Sequence, residues 1–178
     1  MKKLLKLLAI TSVSFVLASA ARAVTWTDDD PLNVFLTSSR HGNDTYSNTF
    51  NILDAGYNPA TQQVTSAVAS FAFADNATDE GEYVDILLDS TLIFNDLEVD
   101  GTSWSYDWHS VNVSGSLLAS LQDGVLNYTV KIDSGDTYLK GAKLVAQGGA
   151  RSVPDSSSTA VLVGLGLVSL FASRKRFW

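Results

Sequence analysis

Leu126, Tyr128, Val130 and Ile132 alternate with Asn127, Thr129 and Lys131. Successive side chains of an extended chain point to opposite faces, so this spacing makes a strand with one dry and one wet face. The same period returns twice. Val84, Ile86 and Leu88 alternate with Tyr83, Asp85, Leu87 and Asp89, and Ala67, Ala69, Phe71 and Phe73 alternate with Val68, Ser70 and Ala72. Further strands are expected over 33–37, 45–53, 91–95, 103–113 and 137–147. Turn-forming groups separate them: Asp54-Ala55-Gly56, Asn58-Pro59, Asp100-Gly101, Asp123-Gly124 and Ser134-Gly135-Asp136. No long helical period competes, and 117–121 reads as a short helical turn. The expected fold is all-β, a single antiparallel β-sandwich or jelly roll, with no internal repeat.

Both ends of the chain read as export machinery. Lys2, Lys3 and Lys6 precede an apolar stretch over 7–18, and Ala21-Arg22-Ala23 offers small residues at a cleavage site. Residues 1–23 are therefore expected to be a secretory signal peptide, handled by the Sec export machinery and signal peptidase. At the other end, 160–172 carries no charge and Arg174-Lys175-Arg176 follows it. Thirteen helical residues reach about 20 Å, short of the roughly 30 Å hydrocarbon core. Thr159, Ser173 and snorkelling basic side chains bring the segment near a minimal span, with the basic cluster on the cytoplasmic side. The chain thus divides into 1–23, a β-sandwich domain over 24–150 and a C-terminal segment over 151–178. Within that segment, 153–159 is a short motif, 159–173 a transmembrane helix and 174–176 a basic stop.

The order of Val153-Pro154-Asp155-Ser156, apolar span and basic terminus resembles the PEP-CTERM family of bacterial sorting signals, in a Val-Pro-Asp variant of its motif. The resemblance covers 153–178. It implies transient anchoring in the inner membrane, recognition by an exosortase-type protease, and delivery to the cell surface or the extracellular space of a polysaccharide-producing bacterium. The stretch 52–88 is also similar, loosely, to a domain of other exported proteins with this tail, through Gly56-Tyr57-Asn58-Pro59, Thr65-Ser66-Ala67, Phe73-Ala74-Asp75 and 82–88.

Charge sharpens the picture. Residues 24–152 hold 5 basic and 18 acidic side chains, a net charge of −13, whereas the whole chain shows only −7. Such a domain repels nucleic acid and anionic lipid. The chain has no cysteine, so an exported domain of this sequence has no disulfide framework and no thiol chemistry.

Two groups of residues are candidate sites. Asp75, Asp79, Glu80 and Glu82, followed by Asp85, put five carboxylates in eleven residues between two expected strands. Calcium takes six to eight oxygen ligands, so this loop reads either as a calcium site or as a solvated acidic turn. A second run, Asp28-Asp29-Asp30, reads as a frayed, solvated end. Trp104, Tyr106 and Trp108 share one face of an extended strand. They read either as sandwich core, where large aromatics commonly sit, or as an exposed row that stacks on sugar rings. Val111 and Val113 have the opposite parity. Either a bulge near His109 flips the register, or the aromatic face is not the core.

No catalytic motif stands out. His41 and His109 are the two histidines, and no nucleophile elbow, His-Glu-x-x-His or phosphate loop accompanies them. The leading expectation is an exported, non-enzymatic surface or matrix protein with no cofactor except a possible calcium ion. A calcium-dependent module that binds extracellular polysaccharide is the alternative, and a hydrolase is third.

Overall fold

A computed structural model of the chain describes residues 23–39, 42–74, 81–100, 102 and 105–151. Residues 1–22 of the expected signal peptide and the expected sorting segment from 152 onward, with Val153-Pro154-Asp155-Ser156, lie outside the described residues, as do Asp75, Asp79, Glu80, Trp104 and His41. Among the described residues no helix is long and apolar enough to cross a membrane.

Among the described residues, eight strands form two four-stranded antiparallel sheets. They are β1 (Val24–Thr37), β2 (Thr45–Asn51), β3 (Gln62–Ala74), β4 (Tyr83–Leu88), β5 (Thr91–Glu98), β6 (Asp107–Val113), β7 (Val125–Ser134) and β8 (Asp136–Ala150). Sheet A has the order β1-β8-β3-β6 and sheet B the order β2-β7-β4-β5. The chain therefore changes sheet at every connection except β4 to β5. This is the jelly-roll arrangement, in which long crossings interleave the strands of both layers. The expected all-β sandwich is the fold observed.

Period-two alternation puts each strand's apolar set between the layers. Leu126, Tyr128, Val130 and Ile132 of β7 are buried, as are Val84, Ile86 and Leu88 of β4. They face Ala69, Phe71 and Phe73 of β3 and Leu139, Ala142 and Leu144 of β8. Phe50, Phe71 and Tyr128 lock the two layers together, with ring centroids 4.5 Å apart for Phe50–Tyr128 and 5.6 Å for Phe71–Tyr128. Each such buried side chain contributes about 1.5–3 kcal/mol of transfer free energy.

The ends of the sandwich are closed locally. The expected helical turn at 117–121 is a helix, α1 (Gly115–Ser120), continued by a 3-10 turn (Leu121–Asp123). Leu117 and Leu121 plug the core there. Gln122 bonds the backbone of Val64 in both directions and caps Leu118, and Tyr57 donates its hydroxyl to the Gln122 carbonyl at 2.9 Å. The expected glycine turns are present. Gly56, Gly124 and Gly135 all have positive φ, which a side chain would strain.

One expectation fails. Asp28-Asp29-Asp30 is not a frayed end: it lies within β1, paired with Leu144, Lys143 and Ala142. Asp28 and Asp30 share the inward parity of Trp26 and turn toward sheet B. Asp28 accepts the Asn51 backbone N–H at 2.6 Å, and Asp30 accepts from Asn48 and from the Tyr128 hydroxyl, both at 3.3 Å. Hydrogen-bond donors from the opposite sheet offset the cost of turning carboxylates inward. Inward-pointing charge on an edge strand also discourages pairing with another chain.

Candidate functional site

The outer face of sheet A is where the aromatic row stands. β6 pairs with β3 from Ala67↔Val113 to Phe73↔Asp107 with no register break. No bulge occurs near His109, so Trp108, Ser110 and Asn112 point outward while His109, Val111 and Val113 point in. Trp108 is 50% exposed and Tyr106 47% exposed. The commoner reading, that these rings are core, is not what the fold does with them. Tyr106 precedes the strand instead of continuing it, and Trp104 lies outside the described residues.

The Trp108 indole does not stand off the sheet. Trp108 pairs with Ala72 of β3, which pairs in turn with Gly141 of β8. The Cη2 atom of the indole comes within 3.8 Å of where a Cβ on Gly141 would stand. The ring therefore lies across β3, covering Ala72, which is fully buried although it points outward. Small residues at 72 and 141 leave room for the indole to reach across the sheet with half its surface in water.

The neighbouring row is polar. The Ser70 and Ser110 hydroxyls are 2.8 Å apart, and the Lys143 ammonium meets Asp29 at 3.2 Å. At the far end of the same face, Phe35 of β1 packs on Tyr138 of β8 with centroids 5.0 Å apart. Lys140 places its ammonium 4.3 Å over the Tyr138 ring and donates to Asn33 Oδ1 at 2.5 Å. Sequence reasoning missed this pair. The rings come from strands about a hundred residues apart, and the signal available was only the outward parity of Phe35.

His109 faces the other way. Its Nε2 lies 2.6 Å from Asp107 Oδ2, and its ring packs between Phe73 and Phe94. Among the described residues its hydrogen-bond partner is this carboxylate, which also accepts the Asp100 N–H at 3.3 Å. The pair lies beneath the edge of β6 on the core side, not on the aromatic face.

The acidic candidates separate. Glu82 is buried just before β4, where its backbone carbonyl accepts the Val99 N–H at 3.1 Å. Asp85, on the outer face of sheet B, joins Asp96 and Asp133 instead, with carboxylate oxygens within 4.8 Å of one another. Asp96 has φ of 50° at an irregularity in β5, and its N–H donates to Asp85 at 3.0 Å. Three carboxylates are a hard-oxygen set of the kind that calcium or magnesium takes. Lys131 competes for this site through its ion pair with Asp133.

Fold and faces together define a class, an eight-stranded jelly-roll β-sandwich with an exposed aromatic face on one sheet. No protein-family model matches the chain, and no curated protein is significantly similar to it in sequence. Dimeric latent PorU from Porphyromonas gingivalis is similar over 74% of this chain, with 12% identity and a TM-score of 0.46, although this chain spans only 14% of PorU's length. A family 35 carbohydrate binding module from Clostridium thermocellum is similar over 70% of this chain and 98% of its own, at 11% identity and a TM-score of 0.37. The decameric BFDV capsid protein matches 74% of this chain and 99% of its own, at 13% identity and a TM-score of 0.39.

Proposed function

We propose that the chain is an exported, non-enzymatic surface protein whose β-sandwich binds extracellular polysaccharide by stacking sugar rings on sheet A. The observation that carries this reading is the half-exposed indole of Trp108, laid across Ala72 toward Gly141. A flat aromatic ring in water is complementary to the C–H face of a pyranose ring, and the serines and charged groups beside it offer partners for hydroxyls. The His109–Asp107 pair, packed between Phe73 and Phe94 on the core side, does not reach that face, which supports binding without turnover. Nor does the reading require calcium at the sugar face, because Asp85, Asp96 and Asp133 lie on the other sheet.

The way the chain leaves the domain supports surface display. Val24, at the start of β1, pairs with Gly148 near the end of β8, so both termini depart from one end of sheet A. A sorting segment after Arg151 tethers that end, with Val153-Pro154-Asp155-Ser156 as the motif presented to an exosortase-type protease. Phe35 and Tyr138 then project away from the membrane.

The test is a pull-down of the exported chain with the producing cell's extracellular polysaccharide. Retention that falls at least fivefold in Trp108→Ala, measured at a temperature where circular dichroism shows the variant folded, is the expected result. Equal retention of the variant, or hydrolysis of the polysaccharide that is lost in His109→Ala, overturns the reading. Mass spectrometry of the surface-displayed protein addresses the tail: peptides from 160–178 should be missing.

A further inference from the structure

The outer face of sheet A has a second aromatic position that no sequence pattern marks. Phe35 pairs with Tyr138, and Tyr138 pairs with Ala74. Trp108 pairs with Ala72, two residues further along β3. Phe35 and Trp108 are thus three strand spacings apart, about 14 Å across the sheet, with an offset of about 7 Å along it. Between them Gly141, Ala72 and Ala74 carry nothing larger than a methyl group, while Tyr138 and Lys140 of β8 stand on the Phe35 side of that floor. The face therefore has a ring at each side and a low floor between.

A recess adjoins the Phe35 side. It has a volume of about 560 Å³ and is lined by Val34, Phe35, Thr37, Ser39, Gly42 and Asn43. Its described lining combines one aromatic wall, two hydroxyls and one amide, with no charged side chain. Nearby charges are already engaged: Lys140 with Asn33 and the Tyr138 ring, and Lys143 with Asp29. Uncharged hydrogen-bonding groups beside a ring suit an uncharged polyhydroxyl ligand. An acidic glycan, by contrast, would meet a domain of net charge −13, against which Lys140, held by the neutral Asn33 amide and the Tyr138 ring, sets one positive charge on the described part of this face.

Resting on the stacking reading above, we propose that one uncharged polysaccharide chain crosses the strands of sheet A from Trp108 to the Phe35–Tyr138 pair. The recess beside Phe35 takes a further sugar unit of the same chain. Trp108 alone binds a short oligosaccharide, and both positions together bind the polymer, because the second contact is made within an already bound chain.

The experiment is affinity electrophoresis of the exported chain in gels containing hydroxyethylcellulose, galactomannan, dextran or xylan, with alginate as the acidic comparison. Calorimetry follows with tri- and hexasaccharides of whichever polymer retards it. Phe35→Ala is expected to weaken polymer and hexasaccharide binding roughly five- to tenfold, as loss of one ring contact implies. The trisaccharide affinity should stay the same, and Phe35→Trp should retain the polymer. Trp108→Ala should weaken both ligands. Phe35 is a surface side chain, so an unchanged melting temperature separates lost contact from lost fold. Unchanged hexasaccharide affinity in Phe35→Ala, beside a loss in Trp108→Ala, overturns the second position and leaves the stacking reading intact. No loss in Trp108→Ala overturns that reading itself. Retardation by alginate alone overturns the uncharged ligand, and retardation by none of the polymers overturns both proposals.

Discussion

The indole of Trp108 ends 3.8 Å from the point where a Cβ on Gly141 would stand, two strands away. That gap is ordinary van der Waals contact for one methyl group and too small for anything longer. Gly141→Ala is therefore expected to fold normally, with stability unchanged or raised by about 0.5–1 kcal/mol, because a strand glycine loses more conformational freedom than alanine. Gly141→Phe should lift the indole off the sheet. Melting curves check the first outcome; a shift in tryptophan emission, together with loss of polysaccharide retention, checks the second.

Asp30 reverses the usual pH behaviour of a carboxylate. Partial burial, helped by the charge of Asp28, raises its carboxyl above the ordinary value, and the hydrogen bond from Tyr128 only partly offsets this. Between the unfolded and the raised folded value the native state binds more protons, so this group's contribution to stability grows as pH falls through that window and is lost as pH rises. Asp30→Asn keeps an acceptor for Tyr128 and removes the titration. The variant's melting temperature relative to the parent should be highest at neutral pH, with the difference shrinking on acidification. A constant difference across the titration would contradict the assignment.

Asp89 has the opposite sign. Burial alone would raise its carboxyl, but the Ser120 hydroxyl and the Asn127 backbone and side-chain amides outweigh that and lower it. Its stabilisation is complete above the ordinary carboxylate value and fades as pH falls through the lowered folded value. Asp89 and Ser90 also carry positive φ in the tight turn between β4 and β5. Asp89→Ala should cost about 1–3 kcal/mol in urea denaturation at neutral pH, and less at strongly acidic pH. Asp89→Asn, which tolerates this backbone conformation, should lose less.

Leu121 and Leu92 are a contrasting pair for the core. Leu121 is fully buried where the 3-10 turn closes the sandwich, whereas Leu92 is 47% exposed on β5. Leu121→Ala should cost about 2–5 kcal/mol. Leu92→Ala should fall within about 0.5 kcal/mol of the parent. Equal losses in chemical denaturation would mean that α1 and its 3-10 continuation do not plug the core.

The strands were legible where one face is dry throughout. β7 and β4 follow their written alternation from end to end, and glycine turns at 56, 124 and 135 occur where turn residues cluster. β1 was read only from residue 33 onward, since three aspartates and a proline conceal a strand whose inward carboxylates are satisfied by donors from sheet B. The turn at Asp89-Ser90 went unread because neither residue is glycine, and the left-handed conformation there is supported by bonds from Ser120 and Asn127.

Alternation by itself determined that this chain makes two-faced strands and packs them as antiparallel layers, because side-chain direction in an extended chain depends only on residue parity. Parity also stated the dilemma of Trp108: with Val111 and Val113 inward, the ring had to be outward unless a bulge intervened. Only the tertiary structure decided that no bulge occurs, that Ala72 and Gly141 form the floor beneath the indole, and that Phe35 and Tyr138 share its face. It alone gathered Asp85, Asp96 and Asp133. These relationships run across strands, and a jelly roll places residues far apart in sequence on neighbouring strands, so no local pattern in the chain encodes them.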